Sequence, residues 1–547
     1  MISSYLSEAI VKAVRGAGLE PPESLGLETP RDPAHGDLAT NVAMQLAGRA
    51  GRPPRALAEA IVERLRAELD PARIEAVKIA GPGFINFTYR PVVVHEALAE
   101  ILRLGAEFGR SSWGSGQKVL LEFVSANPTG PLNVVSARAA AVGDALRRLF
   151  RASGYEADAE FYVNDAGNQV RLLGESLRAR ILECDGQPLH IPENGYHGEY
   201  LREMAVALGP EGRARLVREE AAAPGACAAH ALEVNLAGQR ADLDLFGVRF
   251  DRFFHESELH GAGKVLEALG ELRKSGHVLE QDGATWFRST DFGDDKDRVL
   301  VRANGEPTYF LADVAYHRTK HARGYQRAIN FLGPDHHGTV ARITAAMQAL
   351  GYGEDWLEVQ IVQQVNLLEG GKPVEMSKRA GKLIQLRELV EEVGADVARF
   401  FFLMRSVKSH LDFDLDLARE HSDKNPVLYV QYAHARACNV QRFAAENGVG
   451  EAGADLSLLT QPEEMALIKQ LMQLPLMVEL AVRSREPQRV TQFLISVAQA
   501  FHPFYHKHRV VTSDPKLSSA RLRLVSAVRQ VIANGLGLLG VSAPERM

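Results

Sequence analysis

Between Lys118 and Phe150 the chain reads KVLLEFVSANPTGPLNVVSARAAAVGDALRRLF, an apolar strand, a turn-forming loop and a long helix in immediate succession. Val119, Leu120, Leu121, Phe123 and Val124 make the near-continuous apolar run of a parallel strand covered on both faces. Asn127, Pro128, Gly130 and Pro131 then break it. Ser136 stands where a helix can begin, with Leu146, Leu149 and Phe150 at helical spacing behind it. Such a unit turns backbone N–H groups and the positive end of the helix dipole toward the loop, so the segment predicts an anion site at the edge of a parallel sheet.

A chain of 547 residues, 46% of them apolar, has core enough for about three or four domains. No stretch approaches the roughly 18 to 20 apolar residues that cross a bilayer. The opening MISSYLSEAIVKAVRG carries Glu8 and polar breaks where a signal peptide needs an unbroken apolar region, so a cytoplasmic protein without membrane contact is expected. Cys184, Cys227 and Cys438 are far apart and lack metal-ligand spacing, which predicts neither a disulfide framework nor a cysteine-based zinc site. The net charge of −6 argues against a protein that coats nucleic acid indiscriminately. Its distribution is uneven. Residues 395–547 carry 18 Lys and Arg against 15 Asp and Glu, a balance of +3, whereas residues 1–394 carry 45 against 54, a balance of −9. The C-terminal part is therefore the better surface for a polyanion.

Leu57, Ile61 and Leu65 recur every four residues behind Pro53 and Pro54, a helix with proline at its start, and IAGPGFINFTY (79–89) reads as a glycine-broken strand pair. These predict a small α+β module over 1–110, ended by a polar hinge at 105–117. Alternating strands and helices over 111–394 predict a parallel sheet, interrupted by a mostly helical, charged insertion around 170–280, with strands resuming at 299–301 and 328–332. From 395 to 547 helical periodicity predicts a bundle.

Three further segments carry chemistry. GGKPVEMSKRAGKLI (370–384) is a glycine-rich loop bearing Lys378 and Arg379, able to swing cations onto a polyphosphate; the plainer reading is a solvated basic turn. In TYFLADVAYH (308–317) a helix puts Tyr309 and Asp313 on one face, an aromatic wall and a carboxylate fit for a guanidinium; alternatively they are a core tyrosine and a surface aspartate. NFLGPDHHGTVAR (330–342) ends a strand in a turn followed by His336 and His337, whose adjacency suits hydrogen bonding better than chelation of one metal.

In this order the segments resemble the arginyl-tRNA synthetases, class I aminoacyl-tRNA synthetases, over nearly the whole chain. HGDLATNVAMQLA (35–47) and GPGFINF resemble that family's N-terminal tRNA-contacting domain. SANPTGPL, FYVNDAGNQ, the Tyr309–Asp313 segment, LGPDHHG and MSKRAG resemble its catalytic core, and GADVARFFFLMRS (394–406), YVQYAHARA (429–437) and the closing LGLLGVSAPERM its anticodon-binding domain. The implied architecture is multidomain α/β: an N-terminal α+β domain, a Rossmann-like parallel-sheet catalytic domain with an insertion, and a C-terminal all-α bundle.

The resemblance implies an arginine–tRNA ligase that uses L-arginine, ATP and tRNA(Arg), with Mg²⁺ on the ATP phosphates, no zinc, and a monomeric state. Ser125, Asn127, Tyr309, Asp313 and His337 match its arginine site. Pro128, Gly130, Asn133, Ser136, His336, Met376, Ser377 and Lys378 match its ATP site. Lys378, Arg138, Asn133 and Ser136 are the implied catalytic set. His336 or His337 completes the amino-acid or the ATP pocket. The family's His-x-Gly-His signature is replaced here by Asn133, Val134, Val135 and Ser136, and neither Asn133 nor Ser136 can carry an imidazolium's charge. Val135 stands where glycine admits the adenine, and Glu375 stands where the mobile loop often begins with lysine. A second reading follows from these departures: a catalytically weak paralogue that binds tRNA or regulates.

Overall fold

Leu57, Ile61 and Leu65 form one fully buried face of a helix in the computed structural model, which describes residues 2–22, 25–30, 32–374 and 384–547. The N-terminal part comprises α1 (Ile2–Gly16), β1 (Leu27–Glu28), β2 (Leu38–Thr40), α2 (Val42–Ala50), α3 (Pro54–Glu68), β3 (Ile74–Ala80) and β4 (Phe84–Tyr89). Its antiparallel sheet has the order β1-β2-β4-β3. β3 and β4 are the strand pair expected at 79–89, although β3 starts five residues earlier, at Ile74. α1 to α3 bury their apolar faces against this sheet. α4 (Pro91–Leu104) then leads into the main body.

The central sheet is built from β5 (Lys118–Glu122), β6 (Glu156–Val163) and β7 (Arg252–His255), then, after a long excursion, β11 (Arg327–Leu332) and β12 (Leu357–Ile361). α5 (Val134–Ala152) joins β5 to β6, and α6 (Asn168–Cys184), α7 (Glu199–Ala207), α8 (Gly209–Leu216) and α9 (Ala223–Leu245) lie between β6 and β7. The excursion holds α10 (Glu256–Gly261), α11 (Lys264–Lys274), β8 (Val278–Gln281), β9 (Ala284–Phe287), β10 (Arg298–Val301) and α12 (Tyr309–Ala322), and α13 (His337–Ala349) links β11 to β12. All five central strands are parallel in the order β12-β11-β5-β6-β7. The chain moves outward from β5 through β6 to β7 and later resumes on the other side of β5. Loops leaving β5 and β11 therefore diverge, opening a crevice at their carboxyl ends where ligands of such sheets bind.

Two details differ from the sequence reading. β7 lies inside the stretch read as an insertion, yet it pairs with β6; four residues at a sheet edge are too short for strand periodicity to stand out. The strand expected at 299–301 is β10, and it joins β9 and β8 in a separate antiparallel sheet instead of the central one. Its residues show no alternation that could assign them to either.

Beyond the sheet come β13 (Val365–Glu369), β14 (Lys372–Pro373), α14 (Leu386–Val393), α15 (Ala395–Leu403), β15 (Leu411–Asp414), α16 (Leu415–Arg419) and the helices α17 (Pro426–Glu446), α18 (Pro462–Leu471), α19 (Leu474–Ser484), α20 (Gln488–Lys507) and α21 (Pro515–Leu539). One continuous apolar core joins α5 to α15, α17, α20 and α21, so the bundle packs directly onto the helix that follows β5. Two segments, 462–484 and 515–539, are apolar and long enough by composition to cross a bilayer, contrary to the sequence reading. The first is divided into α18 and α19, and α21 buries Leu522, Val525, Val528, Ile532 and Leu536 within the bundle, as a core helix does.

α5 approaches β5 closely because residue 143 is glycine: a Cβ there would lie 2.2 Å from the Phe123 ring. Gly143→Ala should cost about 1–3 kcal/mol through overpacking, read as a lower midpoint of urea unfolding. An unchanged midpoint would mean that the Phe123 ring can step aside.

Candidate functional site

The loop after β5 begins with strain. Val124 and Ser125 both have positive φ, 68° and 39°, and Ser125 N–H donates to Phe123 O at 2.9 Å across a tight turn. A β-branched residue in this region is disfavoured and persists only where its surroundings over-determine it. Here they do. The Ser125 hydroxyl donates to Glu122 Oε1 at 3.0 Å and accepts from Tyr162 N–H at 3.1 Å, pinning the turn between β5 and β6. The loop then runs past exposed Asn127 and buried Pro128 to Asn133, which caps α5: its Oδ1 accepts from Val135 N at 3.0 Å and Ser136 N at 3.2 Å. The helix thus starts three residues earlier than the sequence reading placed it, and Ser136 sits in its first turn. Asn133 and Ser136 are half-buried at this tip, and nearly every residue of α5 behind them is buried.

The helix α12 carries Tyr309 at its first position and Asp313 one turn on. Tyr309 is 60% exposed. Its hydroxyl lies against Gly167, at the start of α6, where a Cβ would approach it to 2.9 Å. Asp313 keeps 32% of its side chain accessible and faces His317 Nδ1 at 3.2 Å. Behind it runs a buried polar chain: His317 Nε2 pairs with Asn330 Nδ2 at 2.8 Å, Lys320 Nζ donates to Asn330 Oδ1 at 2.9 Å, and Lys320 also binds Glu122. Glu122 in turn accepts from Ser125, so the carboxylate of α12 and the strained turn after β5 belong to one network.

Tyr162, at the end of β6, stands among these acids. Its phenol is raised well above the ordinary tyrosine value by burial first and then by Glu256, which it hydrogen-bonds, Asp313 and Glu122. Burial raises Glu256 above its usual range, against hydrogen bonds from Tyr162 and His260. For Asp313 burial also opposes ionisation, but His317, Lys320 and Arg342 outweigh it and the net shift is downward, so this carboxylate stays charged at neutral pH. Of these three carboxyl groups Glu122 is paired with Lys320 and Glu256 is buried, which leaves Asp313, with 32% of its side chain accessible, as the one able to meet a cation.

Comparison with known proteins agrees with this geometry. Residues 2–89 match the arginyl tRNA synthetase N terminal domain, 230–401 the class I (R) tRNA synthetase catalytic domain and 430–547 the DALR anticodon binding domain. An arginine–tRNA ligase of Desulforamulus reducens is 46% identical over all of this chain and 99% of its own. One of Moorella thermoacetica is 48% identical over 95% of this chain and 93% of its own. The chain belongs to the arginyl-tRNA synthetase family. The solved Thermus thermophilus arginyl-tRNA synthetase superposes with a TM-score of 0.82 at 26% identity, covering 100% of both chains. A Mycobacterium tuberculosis methionyl-tRNA synthetase shares the fold at 12% identity, with a TM-score of 0.56 over 77% of this chain and 91% of its own.

Against this synthetase frame, the residues singled out in the sequence divide. The Asn127–Gly130 loop leads into the Asn133–Ser136 tip, and Tyr309 and Asp313 share the first turns of α12, with Asp313 linked to the turn after β5 through His317, Asn330, Lys320 and Glu122. His336 and His337 are exposed at the turn after β11, the strand beside β5, and no group of three potential metal ligands occurs among the described residues. Met376, Ser377 and Lys378 lie outside the described residues. What flanks them is anchored at the α5 tip: Gln385 bridges to Asn133, and Leu386 N–H donates to Leu132 O at 2.8 Å.

Arg138 is a correction. It is fully buried, and its guanidinium donates to the carbonyls of Gln363 at 2.8 Å, Ser409 at 2.9 Å and Ser406 at 2.8 Å. Burial pulls its pKa down to about 10, and it is a strut between α5 and the segments flanking β13 and β15, not a group facing a ligand. Ser125 is half a correction, since its one hydroxyl hydrogen is committed to Glu122. The synthetase residues that sequence reading passed over are Glu122, Tyr162, Glu256, His317, Lys320 and Asn330. A signal for Glu122 existed: it is the one charge within the apolar run 119–124, and a strand buried on both faces tolerates such a charge only with a partner. Lys320, 198 residues away, had no such signal.

Proposed function

We propose that this synthetase is an arginine–tRNA ligase that activates L-arginine with ATP to arginyl-adenylate and pyrophosphate, then passes the arginyl group to the 3′-terminal ribose hydroxyl of tRNA(Arg). The observation that carries the reading is the partly accessible Asp313 carboxylate on α12, paired with His317 and tied through Asn330, Lys320 and Glu122 to the turn that leads from β5 toward the start of α5. Asp313 faces the guanidinium, Tyr309 walls the side chain, and Asn127 and His337 orient the amino-acid end. Pro128, Gly130, Asn133, Ser136 and His336, with Met376 and Ser377, shape the ATP site. Mg²⁺ arrives with the ATP as part of that substrate.

Little of this chemistry needs a protein nucleophile. Positioning and electrostatic stabilisation suffice: the carboxylate of arginine attacks the α-phosphorus in line while cations meet the charge on the leaving pyrophosphate. Lys378 is assigned that last part. Lys378→Ala should lower kcat by about 100-fold or more while the arginine KM changes little, and equal losses in both would remove it from the transition state. The bundle formed by 395–547 is assigned to the anticodon arm and the N-terminal part to the tRNA body, with the enzyme acting as a cytoplasmic monomer.

Arginine-dependent ATP–pyrophosphate exchange in the presence of tRNA, followed by arginylation of a mixed tRNA pool, tests the reading. Exchange with arginine alone among amino acids supports it. Specific tRNA binding with no exchange for any amino acid would replace it by the paralogue that binds tRNA without catalysis.

A further inference from the structure

α9 buries three polar side chains on one stripe, Asn235, Gln239 and Asp242, at helical spacing, and none has a part in the chemistry above. Asn235 Nδ2 donates to Pro128 O at 3.0 Å. Gln239 Nε2 donates to Asn127 O at 3.1 Å and Gly130 O at 2.8 Å. From α7, the Tyr200 hydroxyl donates to Thr129 O. Four consecutive carbonyls of the loop after β5 are thus held by side chains from the helices between β6 and β7. The loop has no strand neighbour there, so losing these donors would strand its carbonyls. One turn along, Asp242 accepts from Arg387 at 2.8 Å, in the first turn of α14, directly after the 375–383 segment. The same helix therefore grips the loop after β5 and the first turn of α14.

We propose that Gln239, together with Asn235, Tyr200 and Asp242, forms a positioning device: α9 sets the loop 127–130 and, through Arg387, the start of α14 against the tip of α5, and so governs the rate of the phosphate chemistry without touching substrate. The proposal rests on the arginine-activation reading. Its physical basis is that reacting groups held about 1 Å out of place can cost roughly 100-fold in rate.

The test uses the full chain with Gln239→Met, which keeps length and removes both donors, and Tyr200→Phe, which removes one hydroxyl and keeps the ring. Gln239→Met is expected to lower kcat for tRNA-supported ATP–pyrophosphate exchange by about 100-fold with the arginine KM little changed, and Tyr200→Phe to act in the same direction but less. Both should speed backbone hydrogen exchange at 126–133. The two losses should combine less than multiplicatively, because they act on one loop. Wild-type kcat in both variants overturns the proposal, as does a lower thermal midpoint with unchanged kcat in the folded enzyme. Should Gln239→Met fail to fold, Tyr200→Phe alone decides. If the wild type shows no arginine-dependent exchange, the activation reading fails instead, and hydrogen exchange at 126–133 decides the clamp: faster supports it, unchanged overturns it.

Discussion

Asp313→Asn should raise the arginine concentration needed for half-maximal exchange by about 100-fold, with a smaller effect on kcat. Removing one member of a desolvated, hydrogen-bonded charge pair costs about 3–5 kcal/mol, since the remaining charge is left without its partner. The lower end applies because 32% of the Asp313 side chain stays accessible, so water can partly solvate a stranded guanidinium. Asparagine is nearly isosteric, and the His317–Asn330–Lys320 chain behind it persists, so the pocket should keep its shape. The measurement is the arginine dependence of ATP–pyrophosphate exchange with tRNA present and saturating ATP. Unchanged arginine kinetics would move the guanidinium away from Asp313 and toward Glu122 and Glu256. Because the Asp313 carboxyl sits below its usual range, arginine binding should also hold steady as pH falls from neutral toward about 5, above the ordinary aspartate value of about 3.9.

Asp144→Ala should destabilise the folded chain by about 3–5 kcal/mol. Asp144 on α5 is fully buried and binds Arg399 at 2.6 Å, Arg147 at 2.7 Å and Arg148 at 2.8 Å. Arg399, itself 1% exposed, also donates to Leu539 O at the end of α21 and to Phe246 O after α9. Without Asp144 the Arg399 charge is buried among carbonyls only. Burial opposes ionisation of Asp144, but Arg399, Arg148 and Arg147 prevail and lower its pKa. A carboxylate lowered on folding contributes stability that is complete above its unfolded value, about 3.9, and disappears as pH falls through the folded value. The wild type should therefore keep this contribution from neutral pH down past about 4, whereas Asp144→Ala lacks it throughout. A urea midpoint equal to wild type at pH 7 would show that water solvates Arg399.

The helical faces read from spacing alone reappear in the structure. Leu57, Ile61 and Leu65 form one buried face, and Leu146, Leu149 and Phe150 another. Both rest on short-range periodicity, which any helix must obey to bury an apolar stripe. β7 escaped assignment and β10, expected as a strand, was given to the wrong sheet for the complementary reason: four-residue edge strands carry too little pattern, and their sheet is chosen by the neighbours the chain brings to them. Arg138 shows the same limit on the chemical side. Its sequence context is that of a site residue, yet the carbonyls that bury it belong to residues 225 to 271 positions away.

By itself the chain determined that a turn-forming loop follows an apolar strand and leads into a helix, that Tyr309 and Asp313 share a helix face, and that the ends carry tRNA-synthetase segments, since each depends on residues within about two turns of one another. Only the tertiary structure decided which carboxylates ring Tyr162, that Arg138 is a strut, and that α9 holds the loop from behind. Buried charges and carbonyls must find partners wherever the fold supplies them, and those partners lie across the sheet, at separations over which no local pattern extends.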